Sequence, residues 1–399
     1  MSYRYTLRRY LTGAVAARTG DEMSGPALML AGFALAGSTT TASSLLAGIT
    51  VSAAVGGPLL GAFLDRAVRP GRLLAWALAF YATGLGVILA GLARLPFPVT
   101  IVIAVATGLL GPALSGGWTA QLPRVATGDR LHRANALDAM TFSAASLAGP
   151  ALAGGVAVAL GASTAVVVSL TLIALALPAA WTLPGRPDPA RGVRATSVLH
   201  DLAAGTRVIL GRPALARATL TSVISCVAQG MVTACLPLLG ERVLGGAGRG
   251  ALLLSCAAVS ALLATTALAR FPRAAAPDAI IWSGALVQSA AWALAVWGHP
   301  AALVAAFLLA GIGEGPQLAA LFAVRHREAP AHLRGQIFTT GASLKITAFA
   351  LGAATAGPLA SRSLSCPLTL AAITALLAAL AFSVIPASGR ASGGLRVSP

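Results

Sequence analysis

Long uncharged stretches alternate along this chain with short breaks that carry arginine. Residues 23–64, 139–185 and 279–313 are each charge-free over a length that holds two membrane spans. Residues 73–93, 95–123, 218–240, 250–269 and 363–389 hold one span each. The stretch ending at Arg325 and the one starting at Arg334 belong to the same class, except that Glu314 and Lys345 interrupt them. A helix needs about 20 apolar residues to cross a hydrocarbon core of about 30 Å. In lipid only helices and closed barrels satisfy their own backbone. The pattern predicts an all-α membrane protein with twelve transmembrane helices.

Composition supports this and charge refines it. Of 399 residues, 57% are hydrophobic and 10% charged, against about 25% charged in soluble chains. The net charge of +17 raises the question of nucleic acid, but its distribution answers it. With the N-terminus inside and loops alternating, 22 of the 28 Lys and Arg fall on the inner side. Four (Arg94, Arg242, Arg249 and Arg362) fall outside, while Arg18 and Lys345 lie in or near the spans. Basic residues mark cytoplasmic loops, so both termini are expected in the cytoplasm of a multi-pass inner-membrane protein, with no nucleic-acid partner. Cys226, Cys235, Cys256 and Cys366 form no CxxC and lie in or beside apolar spans, as small packing residues do. The first apolar run is interrupted by Arg18, Asp21 and Glu22 and has no cleavage pattern after it, so a removable signal is not expected.

The longest inner segment, 185–212, is rich in proline and glycine at its start and divides the chain. The expected organisation is a six-helix bundle over 1–184, a cytoplasmic linker over 185–212, a second bundle over 213–386, and a flexible tail over 387–399. An offset of 201 residues superposes Arg69 on Arg270, Arg72 on Arg273, Arg124 on Arg325 and Arg133 on Arg334. Two parallel repeats with a site between them near the midplane is a secondary-transporter plan.

The segment Gly61-Ala-Phe-Leu-Asp65-Arg66-Ala-Val-Arg69-Pro-Gly71-Arg72 resembles motif A of the major facilitator superfamily. Residues 122–155 look like the fourth-to-fifth helix region of its exporter-type members. That stretch ends in Gly149-Pro150-Ala-Leu-Ala-Gly154-Gly155, close to the antiporter motif C but with one extra residue between the pairs. The resemblance covers essentially the whole chain. It implies that Asp65 faces the N-terminus of the eleventh helix, where a carboxylate stabilises the positive end of the dipole. It also implies that Arg66, Arg69 and Arg72 complete a latch between the halves. Two features depart from the family. The second-half counterpart of motif A around Arg270 and Arg273 has no aspartate, and the fourth helix, about 97–120, lacks the arginine of motif B.

Within the spans, charged and amide side chains are the candidates for substrate binding or proton coupling. Arg18, Asp21 and Glu22 share a helix face and can partly neutralise one another. Gln229 and Gln288 serve either as cavity hydrogen-bonders or as interhelical glue. Glu314 lies eleven residues before Arg325 and Lys345 eleven after Arg334. If those arginines flank one short loop, acid and base sit at matched depth, about 16 Å in. Lys345 is the only lysine beside 27 arginines, and a buried lysine can exist neutral where arginine cannot. Proline at 150 is expected to kink the fifth helix, and the glycines around it to permit close helix contact.

These readings point to a monomeric, twelve-helix, alternating-access transporter, not an enzyme. It is expected to export a small organic or amphipathic compound in exchange for protons. The alternatives are an importer of a small metabolite and a non-transporting membrane receptor or structural subunit. No metal site, cofactor, nucleophile or phosphate loop is expected.

Overall fold

The structure, a computed structural model, describes residues 2–36, 39–92, 94–128, 130–185, 198–245, 250–271 and 275–385. Linker residues 186–197, the tail 387–399 and Arg273 lie outside the described residues. Six helices come first: α1 (Ser2–Ala36), α2 (Thr39–Arg66), α3 (Pro70–Leu92), α4 (Phe97–Gly108), α5 (Arg130–Leu160) and α6 (Ala162–Leu175). A linker helix, Val198–Gly211, is followed by six more. These are α7 (Pro213–Val243), α8 (Gly250–Arg270), α9 (Pro277–Ala295), α10 (Pro300–Glu328), α11 (Arg334–Arg362) and α12 (Ser365–Val384). Among the described residues, ten helices are long and apolar enough to cross a membrane. The polar content of α1 (Arg18, Asp21, Glu22) and of α9 (Asp278, Gln288) separates these two from the rest.

Local sequence sets the ends. Helices α3, α7, α9 and α10 open on proline, where the missing N–H had no partner to lose. The turns after α5 and α9 pass through Gly161 (φ 92°) and Gly298 (φ 63°), a backbone region that side chains other than glycine avoid. Span four is broken. Regular helix stops at Gly108, and the chain continues through Gly111-Pro112 and short turns to Arg124. This irregular stretch lies so close to α2 that a Cβ on Gly56 would run into the Leu109 carbonyl. By contrast, α5 continues through Pro150 as one helix.

The apolar core is divided by half. One cluster, from Tyr10 to Leu183, belongs entirely to the first six spans, and another, from Ala228 to Ala375, to the last six. A smaller cluster joins them, with Ala120, Ala136 and Ala139 meeting Ala269, Ala319, Phe322 and Phe338. The helices run alternately, so α1 begins, α2 and α10 finish and α11 begins at one end, called the terminal end below.

Candidate functional site

At the terminal end the halves are closed by contact between α2 and α11. Small residues on α2 make this possible: a Cβ on Gly57 would run into Ser343, and one on Gly61 into Gln336 and Thr339. Asp65, on the last turn of α2, accepts hydrogen bonds from the N–H groups of Gly335 (2.7 Å) and Gln336 (2.8 Å). These are first-turn amides of α11, which have no intrahelical acceptor, and they lie at its positive dipole end. Gly71 and Arg72 pack within their own half. Gly71 packs against the Ala180 carbonyl and Leu183. The guanidinium of Arg72 stands 5.2 Å from the Trp181 ring, and Arg69 is exposed. Asp65 and the α2 glycines touch α11 directly, whereas Arg72 stacks within the first half.

Beyond this closure lies a cavity of about 600 Å³ lined from both halves. Arg18, Gly116, Phe322, Arg325 and Phe338 form its floor toward the terminal end. Asp21 and Glu22 on α1 and Lys345 on α11 face it further from the floor, as do Pro26, Ile49 and Phe349.

Arg18 is not neutralised by its helix neighbours. It is buried to 2% exposure and pairs with Asp138 on α5, itself 0% exposed, at 2.9 Å. Its Nη groups also reach the Asp138 carbonyl (2.9 Å), Thr119 (2.8 Å) and Thr141, while its Nε has no acceptor. Tyr10 (3.0 Å) and Thr119 (2.9 Å) donate to the Asp138 carboxylate, and the Phe142 ring lies 3.7 Å from the guanidinium. This pairing leaves Asp21 and Glu22 to other partners. The Tyr81 hydroxyl donates to Asp21 (3.0 Å), and Ser146 to Glu22 (3.4 Å). Gly149 sits directly on Glu22, so close that a Cβ there would collide with it. Gly154 and Gly155 meet nothing within 4 Å; of the motif C-like glycines, only Gly149 makes a close helix contact.

In the second half, α10 continues past Arg325 to Glu328, and the turn to α11 is Ala329–Leu333. Arg325 is therefore a helix residue on the cavity floor, not a loop residue. Arg217, also assigned to a loop by its charge, is buried in α7 and pairs with Asp278 at 2.6 Å. Glu314 now lies fourteen residues before the end of α10, while Lys345 lies eleven after the start of α11. The difference is about 4.5 Å in depth at the helical rise. They are near enough to interact electrostatically, but among the described residues no ion pair within 4 Å joins them. Gln288 is fully buried and does not line the cavity. It accepts from Gln229 (3.4 Å) and donates to Gln317 (2.9 Å), which donates to the Ile281 carbonyl (3.1 Å). This amide chain ties α7, α9 and α10 together, and its Gln229 end lies beside Glu314.

Tyr10, Thr119, Asp138 and Arg325 thus join the site beyond the sequence candidates. Asp138 sits beside Arg130, His132 and Arg133 in sequence, a context that reads as a loop edge. Among the described residues no three His, Cys, Asp or Glu side chains cluster as metal ligands.

Residues 10–353 match the family model of the Major Facilitator Superfamily. An uncharacterized MFS-type transporter, y4rN, from Sinorhizobium fredii is 29% identical over 309 residues, covering 72% of each chain. A bacterial homologue of the iron transporter ferroportin, crystallised in an outward-facing state, superposes with a TM-score of 0.78 at 16% identity, covering 95% of this chain and 98% of its own. The human organic anion transporter MFSD10 gives 0.76 at 16% identity, covering 96% and 100%. With its all-helical, twelve-span architecture and a cavity between two halves, the chain belongs to the major facilitator superfamily and is a secondary transporter, not an enzyme.

Proposed function

We propose that this transporter exports a small organic or amphipathic compound in exchange for protons, by alternating access, as a monomer in the cytoplasmic membrane with both termini inside. The observation that carries the reading is a cavity lined from both halves that holds Asp21 and Glu22 and is closed at one end by the Asp65-capped contact of α2 with α11. Carboxylates inside a membrane span mark ion or proton paths by default. With the terminal end inside, the closure is cytoplasmic and the cavity belongs to an outward-facing state. Asp65 and Gly61 then serve as the latch that must part for the inward-facing state. The direction of transport rests on the likeness of Gly149-Pro150 and its surroundings to the antiporter motif.

The test is a proton-flux assay in proteoliposomes carrying an internal pH dye and challenged with a panel of organic acids, amines, neutral aromatics and sugars. Export by exchange is expected to release protons in the direction opposite to the compound. Co-directional movement of compound and protons would replace efflux by import. Orientation is tested separately in a background lacking the four cysteines. Arg69→Cys should be shielded from an impermeant thiol reagent added outside, and His299→Cys should react. Labelling of Arg69→Cys from outside would invert the topology.

A further inference from the structure

Building on the reading of the cavity as the solute's path, we propose that Arg325 is the head-group site for a singly charged organic anion, a carboxylate or sulfonate carried on an apolar body. Arg325 is buried to 2% exposure and lines the cavity. Its Nε and Nη2 make no hydrogen bond and are themselves buried, so an anion reaches them as the guanidinium turns outward from Gly341. These two N–H groups lie on one edge of the guanidinium and form the fork that matches a carboxylate. Among the described residues no carboxylate lies within 4 Å of it. The ionisable groups facing it are Cys226 and His326. The guanidinium lies across Gly341, where any Cβ would run into it, and 5.8 Å from the Phe338 ring.

An unpaired charge in a membrane span is costly and calls for a partner. The protein supplies one to Arg18 and withholds one from Arg325. Lys345 also lines the cavity, four residues beyond Gly341 and so one turn along the same face of α11. It adds a second cation on the approach to Arg325. Phe142, Phe322, Phe338 and Phe349 supply aromatic walls for an apolar body. The volume of about 600 Å³ is that of sites for drug-sized ligands. Asp21 and Glu22 on the facing wall limit the anion to one charge, because a second would point toward them.

The test uses purified protein in detergent and calorimetric titration with four probes of one size: 2-naphthoate, 2-naphthamide, 2-naphthylmethylammonium and 2,6-naphthalenedicarboxylate. The wild type is expected to bind 2-naphthoate at least tenfold tighter than the other three. Arg325→Gln should lose that factor while keeping its affinity for the amide. Gly341→Ala keeps the charge but displaces the guanidinium, and should weaken the anion selectively. It also serves as the reporter if Arg325→Gln does not yield folded protein. Equal binding of anion, amide and cation would overturn the head-group assignment and leave the cavity as the solute path. Retention of the preference in both variants would also overturn it. Failure of all four probes to bind would overturn the proposal and the reading of this cavity as an organic-solute site together.

Discussion

Two arginines border the same cavity floor, one from each half, and their surroundings differ completely. Arg18 is held by Asp138, Thr119, Thr141 and the face of Phe142. Arg325 has an aromatic ring and a glycine beside it, and two N–H groups without an acceptor. The first is a charge-neutral pair, hydrogen-bonded through both Nη groups with Nε alone lacking an acceptor, that fixes α1 to α5 and to the broken end of span four. The second is a cation with its charge unspent. The difference teaches that buried charge in this protein has two uses. Arg18 in the first half and Arg217 in the second are paired with an aspartate and specify packing, whereas Arg325 lines the cavity with no carboxylate beside it among the described residues.

The largest effect should follow from breaking the paired arginine. Asp138→Asn or Asp138→Ala leaves Arg18 buried without its counter-charge, which costs about 3–5 kcal/mol. The variant should show a large loss of thermal stability or of folded yield by size-exclusion profile. The double variant Arg18→Leu/Asp138→Leu should recover most of it. A stable single variant would mean that Arg18 can reach another acceptor, Asp21 or Glu22 being nearest in sequence.

The same measurement on Arg325→Gln should give the opposite sign. Removing a charge that has no partner leaves nothing behind uncompensated, so the melting temperature should hold or rise. A loss as large as that of Asp138→Asn would show that Arg325 is paired in solution, and the contrast between the halves would disappear.

A smaller effect is expected at Glu314 and Lys345. They interact without contact. Glu314→Gln and Lys345→Met should each destabilise less than Asp138→Asn, because no direct ion pair is broken, while altering proton-driven transport. Losses near those of Asp138, rescued in the double variant, would identify a direct pair that forms in another conformation.

Much of this architecture is legible in the sequence because a bilayer forces it there. Charge-free runs long enough to span lipid have few other uses, and the arginine breaks place the turns. The aspartate of motif A stands out as the one acid in an arginine-rich turn, and in the structure it lies on the first amides of α11. What charge patterning hides is depth. Asp138, Arg217 and Arg325 each lie within a helical turn or two of the apparent ends of apolar runs. Counting charge-free residues therefore assigns them to loops, whereas the helices continue past them and turn them inward. The partner of Arg18 is equally invisible. It lies 120 positions away, while Asp21 and Glu22 offer nearer acids at helical spacing. The break in span four had a local signal in Gly111-Pro112, a turn dipeptide inside an apolar run.

Alternating access requires the closure between α2 and α11 to be one of two arrangements. Replacing Asp65 by Asn removes a charge from the dipole end of α11, an interaction of about 0.3–1 kcal/mol. That is small enough to leave the fold intact and large enough to shift a balance between states. The direct measurement is a distance distribution between spin labels at Val68 and His332, exposed positions in the two neighbouring turns at the terminal end, in a background lacking the four cysteines. A short and a long population are expected, with Asp65→Asn moving weight to the long one. A single distance, the same in wild type and Asp65→Asn, would contradict a closure with two arrangements.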